Sequence, residues 1–165
     1  MAAANRYTAA EAKFIDYKMY TIDAADHQDH SFNGIVFDVH CREDQPVKEI
    51  VITSFSVRGV LGDICIYVTK PGKETYKNRY TTRADWSTHF SGHVNESWDT
   101  YVEIKLTIPL IMCPGESRGV YIHSNADHDL GIIYDNERGN RVGDDYVTLL
   151  PGMAQTGSVA FSRTS

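Results

Sequence analysis

Apolar and polar residues alternate with a period of two along most of the chain, which is the pattern of β-strands with one buried face. Four runs show it most clearly, at residues 35–41, 47–57, 63–69 and 101–108. Shorter runs follow at residues 119–123, 130–134, 146–150 and 158–161. Turn-forming pairs such as Pro71-Gly72 and Pro114-Gly115 separate them. About eight antiparallel strands predict an all-β fold, a β-sandwich or jelly roll, with a closed barrel as the alternative.

The segment ahead of the strands has helical periodicity instead. Residues 8–11, Thr-Ala-Ala-Glu, form a capping box, in which each end residue satisfies a backbone N–H of the first helical turn. The apolar positions that follow at helical spacing include Phe14, Ile15 and Met19. We therefore expect a short N-terminal amphipathic helix over residues 9–20. Such a helix must cover another apolar surface, either of this chain or of a neighbouring copy.

Length and charge limit the organisation and the partners. The chain has 165 residues and fits one domain, so we assign residues 31–165 to a single soluble β-sandwich domain and residues 1–30 to a helical arm with an acidic linker. The net charge of −6 repels phosphate backbones, which disfavours nucleic acid as a partner. An apolar stretch of the roughly 18 residues needed to span a bilayer is missing, so no membrane association is expected.

Cysteine spacing and the N-terminus both suit a reducing compartment. Cys41, Cys65 and Cys113 lie far apart, a pattern that makes neither a disulfide framework nor a zinc site. Each lies in or beside an apolar run, so we expect reduced cysteines that act as small core residues. The N-terminus lacks an apolar signal region, which predicts a cytoplasmic protein. An extracellular location stays open if the sequence is a domain excised from a longer chain.

A series of strand and turn motifs gives a family resemblance. The motifs are Asn33-Gly34-x-x-Phe37-Asp38-Val39, Ile66-Tyr67-Val68, Trp86, Pro109-Leu110-Ile111 and Gly119-Val120-Tyr121-Ile122. Their order resembles an uncharacterised β-sandwich module of algal and protist proteins, over about residues 32 to 161. The resemblance implies the sandwich fold and implies no catalytic residue.

Sequence signatures of catalysis are missing. The chain contains no G-x-S-x-G, H-E-x-x-H, Walker or G-x-G-x-x-G motif. His40 and Cys41 are neighbours on one strand, and neighbours point to opposite faces, so they cannot cooperate directly. We therefore predict that the protein is not an enzyme. An enzyme whose site is assembled only in space stays an alternative.

The most distinctive segment is a basic, aromatic stretch at residues 70–86. It holds five Lys or Arg residues and one Glu before Asp85, in an otherwise acidic protein. Tyrosine rings beside cations suit stacking on a sugar or contact with a protein partner. The predicted ligand residues here are Tyr76, Lys77, Arg79 and Tyr80. The equally weighted alternative is a hairpin with solvated cations, in which Trp86 plugs one end of the core.

Trp98 completes the predicted ligand set and is ambiguous in the same way. An exposed tryptophan just before a strong strand would be a platform for a ligand. Tryptophan is usually largely buried, however, so a core position is the preferred interpretation.

Asn125, Asp127 and Asp129 form the best candidate metal site. An N-x-D-x-D run offers three oxygen ligands to a hard cation such as Ca²⁺. The next Gly arrives one place late for an EF-hand, and a solvated turn is the favoured alternative. Two histidine pairs, His27 with His30 and His89 with His93, are expected to be surface residues in loops. No cofactor is otherwise expected.

Together these patterns favour a non-catalytic binding module that takes a glycan or a protein partner. The alternative is a structural subunit that self-associates through its helical arm and forms a homo-oligomer. Fold alone does not decide between them.

Overall fold

The computed structural model describes residues 19, 21–24, 30–134 and 142–162, and antiparallel β-strands dominate this part of the chain. The helix expected over residues 9–20 lies outside the described residues except for Met19, as does His27. The all-β, antiparallel class is confirmed. Within the described residues no helix is long and apolar enough to cross a bilayer.

The strands follow one another along the chain with two short 3-10 turns between them. They are β1 (His30–Phe32), β2 (Gly34–Cys41), β3 (Ile50–Gly59), β4 (Gly62–Thr69), β5 (Trp86–Val94), β6 (Ser97–Met112), β7 (Ser117–Ser124), β8 (Ile132–Tyr134), β9 (Val142–Gly143), β10 (Val147–Leu149) and β11 (Met153–Gln155). The 3-10 turns are Arg83–Asp85 and Asp127–Asp129.

One large sheet organises the structure. Its strand order is β5-β4-β7-β2-β10-β9, and β11 also pairs with β2. β3 and β6 form a separate two-stranded ribbon, and β1 pairs with β8. All of these pairs are antiparallel.

The main core joins one face of the large sheet to the β3–β6 ribbon. It contains the alternate residues that the period of two predicts, among them Val39 and Cys41 of β2, Ile64, Ile66 and Val68 of β4, and Ile104 and Leu106 of β6. The β2 and β4 residues in this set are fully buried. We call this face of the large sheet the inner face, and the opposite one the outer face.

The outer face is covered as well, by aromatic side chains. Val36, Tyr76, Trp86 and Tyr121 form a second buried cluster, against which Tyr67, Tyr80, Ala160 and Phe161 pack. The covering segments are the basic loop, residues 70–85, and the C-terminal strap, residues 156–162. The large sheet is therefore buried on both faces where these segments cross it.

The register of β4 defines two ends of the large sheet. Thr69 faces Trp86 at one end, which the basic loop connects, and Gly62 faces Val94 at the other. Because Ile64 also faces Ser124, the loop that follows β7 lies at the Gly62 end. The turn between β5 and β6 lies at that end too.

Two strand predictions are wrong. Residues 158–161 form turns within the C-terminal strap, and the last strand is β11 instead. β5 was expected to be loop around His89 and His93, yet it pairs with β4 along its whole length. β5 is the edge strand of the large sheet, and because it contains Gly92 and several polar residues, its sequence does not alternate clearly between apolar and polar positions.

Candidate functional site

A buried carboxylate holds the basic loop on the outer face. Asp38 of β2 is 6% exposed. Its two oxygens accept hydrogen bonds from the Thr75 hydroxyl, at 2.6 Å, and from the Tyr76 backbone N–H, at 2.8 Å. The loop closes where the Lys70 N–H donates to the Asp85 carbonyl at 2.8 Å. The loop is thus fixed to the sheet rather than extended into solvent.

This anchoring corrects the predicted ligand set. Tyr76 is buried, with only 6% of its surface exposed, and Tyr80 is half-buried against the same cluster. The Trp86 indole is 1% exposed and donates its N–H to the Arg79 carbonyl at 2.9 Å. Trp86 is buried as expected, but in the aromatic cluster of the outer face and not at one end of the main core. Tyr76 cannot offer an open ring face to a ligand, because packing on the sheet covers it.

The cations of the basic loop differ in their surroundings. Asp85 lies 3.6 Å from the Lys73 ammonium and 3.7 Å from the Arg79 guanidinium, so it partly neutralises both. Arg83 donates to the Trp86 carbonyl and lies 4.9 Å from the centre of the Tyr67 ring. Lys77, a predicted ligand residue, is exposed, and so is Lys70.

Trp98 lies in a bulge of β6, and its preferred core position is wrong. Gly59 pairs with Ser97 and Val57 with Val102, so the single residue Arg58 faces residues 98–101. The Ser97 hydroxyl donates to the Thr100 carbonyl at 2.6 Å and closes the bulge. Extra residues in a strand commonly redirect side chains in this way.

The bulge presents two aromatic residues to solvent. Trp98 is 42% exposed and Tyr101 is 52% exposed. The Arg58 guanidinium, 9% exposed, donates to the Trp98 carbonyl at 2.8 Å and lies 5.9 Å from the Tyr101 ring centre. We call Trp98 and Tyr101, with Arg58 against them, the aromatic platform. The sequence offered a signal for Tyr101, which falls on the outward side of the alternation, but not for Arg58.

The candidate metal loop gains no support. The Asn125 amide oxygen accepts the Asp63 N–H at 3.0 Å, and its amide nitrogen donates to the Asp63 carboxylate at 3.1 Å. Asp129 accepts the Gly157 N–H at 3.1 Å and so holds the C-terminal strap. Asp127 is exposed. In the part of the chain that the structure describes, no group of three or more His, Cys, Asp or Glu residues could hold a metal ion.

Two histidines, His89 and His123, are buried, and for His89 this differs from the prediction. His89 is 8% exposed, with Nδ1 2.7 Å from the Ile108 carbonyl oxygen, so its prediction as a surface residue is wrong. His123 is 4% exposed, with Nε2 3.1 Å from the Gly157 carbonyl oxygen. Burial lowers the pKa of both imidazoles and favours their neutral form. His93 is exposed, as expected, and contacts Asp63.

The cysteines are all free, but only one is a core residue. Cys41 is buried, Cys65 is intermediate and Cys113 is exposed. The core position expected for Cys113 is therefore wrong. Cys65 faces His123 across β4 and β7, a pairing that sequence did not reveal. The Cys65 sulfur lies 3.5 Å from the Ser91 hydroxyl, and His123 Nε2 lies 3.1 Å from the Gly157 carbonyl oxygen, so each side chain has a polar contact outside the pair.

Comparison of the chain with protein-family models, with curated proteins and with solved structures finds no match. The resemblance to the algal and protist module therefore stays a prediction.

Proposed function

We propose that the chain is a non-catalytic binding module of the β-sandwich class whose ligand site is the aromatic platform. The observation that carries this proposal is the joint exposure of Trp98 and Tyr101 on a closed bulge. Large aromatic side chains are normally buried, and a pair held open to solvent is a feature of binding surfaces. The main core, which joins the large sheet to the β3–β6 ribbon, supports the sandwich.

Hydrogen bonds hold the backbone of the platform, which suits binding. Arg58 is held between the Trp98 carbonyl and the Tyr101 ring, and Ser97 ties the bulge to Thr100. Aromatic rings offer a large contact area and have few rotatable bonds, so ordering them on binding costs little entropy. Preorganisation of this kind raises affinity because less freedom is lost.

Tryptophan, tyrosine and arginine together are the residue types enriched in protein–protein hot spots. This composition supports a protein segment as the ligand. A glycan is the second candidate, since flat rings also stack on the apolar faces of sugars.

The test is binding of the labelled full chain to a glycan array and to a peptide array. We expect the peptide array to capture the wild type and not the double variant Trp98→Ala/Tyr101→Ala. The control Ile108→Ala removes an apolar side chain of the same strand that is 55% exposed, and it should bind like the wild type. Equal capture by wild type and the double variant, or capture on neither array, would reject the platform as the site. Capture on the glycan array alone would make a sugar the ligand.

A further inference from the structure

The aromatic platform is acidic. Residues 95–103 contain Glu96, Asp99 and Glu103 and no Lys or Arg, and all three carboxylates belong to exposed residues. Asp63 lies at the same end of the large sheet, with its side chain 66% exposed. Arg58 is buried against the Tyr101 ring, and the exposed Lys105 lies two residues beyond Glu103 on β6. A ligand for this surface therefore needs positive charge as well as an apolar contact face.

The basic loop has the opposite character. Residues 70–85 hold five Lys or Arg against Glu74 and Asp85, so their formal charge is +3 in a chain of net charge −6. Asp85 lies beside Lys73 and Arg79, and Arg83 donates to the Trp86 carbonyl, whereas Lys70 and Lys77 are exposed cations. Tyr76 and Tyr80 pack on the sheet, whereas Lys70 and Lys77 are exposed.

The two surfaces cannot meet within one molecule. The basic loop joins β4 to β5 at the Thr69 end, and residues 95–101 follow β5 at the Gly62 end. Eight strand residues separate the ends, a distance of about 25 Å. That is more than twice the distance of about 10 Å over which salt at 0.1 M screens exposed charges. The two surfaces of one molecule therefore do not neutralise each other.

We propose that the aromatic platform of one molecule binds the basic loop of a second copy of the chain. This rests on the proposed function and names its partner. The contact uses different surfaces on the two copies, so it is heterologous, and repetition gives a ring or an open chain of molecules. Glu96, Asp99 and Glu103 receive Lys70 and Lys77, while Trp98 and Tyr101 take the aliphatic stems of those lysines.

The test is sedimentation velocity of the full chain at low and at high salt, with two charge-reversal variants. Asp99→Lys/Glu103→Lys makes the platform basic, and Lys70→Glu/Lys77→Glu makes the loop acidic. We expect the wild type to associate at low salt and to dissociate at high salt. Each variant alone should be monomeric, because its two surfaces then carry the same sign. An equimolar mixture of the two should associate again, which misfolding of either variant could not produce.

The control is Val51→Ser/Ile111→Ser. These residues face each other on the β3–β6 ribbon, 46% and 53% exposed, and are a second apolar pair that could join two copies. This control should associate like the wild type. A monomeric wild type at low salt, a mixture that stays monomeric, or dissociation by the control alone would overturn the proposal. The wild type could be monomeric and still capture peptides that the variant Trp98→Ala/Tyr101→Ala does not capture. In that case the binding module stands, and only the second copy as its partner is rejected.

Discussion

Asp38 shows how one residue can fix a loop that is distant in sequence. It lies on the outward side of β2, where the alternation predicts a solvated polar residue, yet it is buried under the basic loop. Both oxygens accept hydrogen bonds, from Thr75 and from Tyr76. Hydrogen bonds to a charged group contribute more than neutral ones, and a buried donor left without a partner is costly.

We expect Asp38→Ala to lower the free energy of unfolding by about 2–3 kcal/mol, because the buried Tyr76 N–H would lose its acceptor. Thr75→Ala removes only one of the two bonds and should cost about 1 kcal/mol. Urea denaturation measures both. If the two substitutions cost the same, the Tyr76 N–H is not the group that matters.

The two tryptophans can be distinguished by fluorescence quenching. Trp98 is 42% exposed and Trp86 is 1% exposed, so soluble quenchers should reach only the first. We expect the ratio of Cs⁺ to I⁻ quenching to be higher for Trp98 than for free N-acetyltryptophanamide, because Glu96, Asp99 and Glu103 attract cations and repel anions. Trp98→Phe should leave an emission that neither ion quenches.

The control for the sign of the field is Asp99→Asn/Glu103→Gln. It keeps the shape of the surface and removes two charges, so the ratio of Cs⁺ to I⁻ quenching should fall. A ratio of Cs⁺ to I⁻ quenching in the wild type no higher than that of free N-acetyltryptophanamide would show that the platform is not acidic.

At the scale of elements, the C-terminal strap depends on Phe161. Its ring lies 4.9 Å from the Tyr67 ring centre, 5.1 Å from that of Tyr121 and 5.9 Å from that of Trp86. Phe161 has a φ of 64°, in the left-handed region that bulky residues rarely adopt. The aromatic contacts must therefore outweigh the backbone strain.

Phe161→Ala should lower the free energy of unfolding by about 2–3 kcal/mol, somewhat less than for a fully buried Phe because the residue is only half-buried. Thermal and urea denaturation both report this. Val159→Ala in the same strap removes a side chain that is 68% exposed and should change stability little. A loss in Val159→Ala as large as in Phe161→Ala would mean that the strap is not held by the aromatic cluster.

The strands were predictable where one face is apolar and the other polar. β2, β3, β4, β6 and β7 were expected near their observed positions, because alternation follows directly from burial of one face. β5 escaped prediction because His89, an inward residue, is polar, and its carbonyl partner at Ile108 lies on another strand. The strand predicted at residues 158–161 is wrong because Val159 and Phe161 have the spacing of a strand but lie in turns.

At the scale of the whole molecule, the candidate site was predictable only in part. Trp98 was recognised as a possible platform, but its exposure depends on the β6 bulge, and nothing in the sequence of residues 98–101 indicates that the pairing with β3 skips them. Tyr76 was misassigned because the residue that buries its loop, Asp38, is 38 positions away. Local pattern predicts which face of a strand is buried, whereas it does not reveal which distant segment folds over the other face.

The two buried histidines lie on different strands of the large sheet, so their protonation affects the whole fold. Burial lowers the pKa of His89 and His123 from the ordinary value of about 6.5. As the pH falls below about 6.5, the unfolded chain therefore takes up protons before the folded chain does. Stability is consequently full above that pH and decreases as the pH falls towards the lowered pKa values.

We expect the urea midpoint of the wild type to be lower at about pH 5.5 than at about pH 7.5, a range that lies above the ordinary pKa of carboxylates. His89→Gln and His123→Gln each remove one titrating group, so the urea midpoint of each variant should differ less between the two pH values. This holds even if the substitution changes the stability at both pH values. The matched control is His93→Gln, because the His93 side chain is 68% exposed and contacts Asp63 at the surface. It should keep the wild-type difference. The prediction would be contradicted if His89→Gln, His123→Gln and the wild type all showed the same pH dependence. Neither imidazole would then lose stability by being protonated in the folded protein.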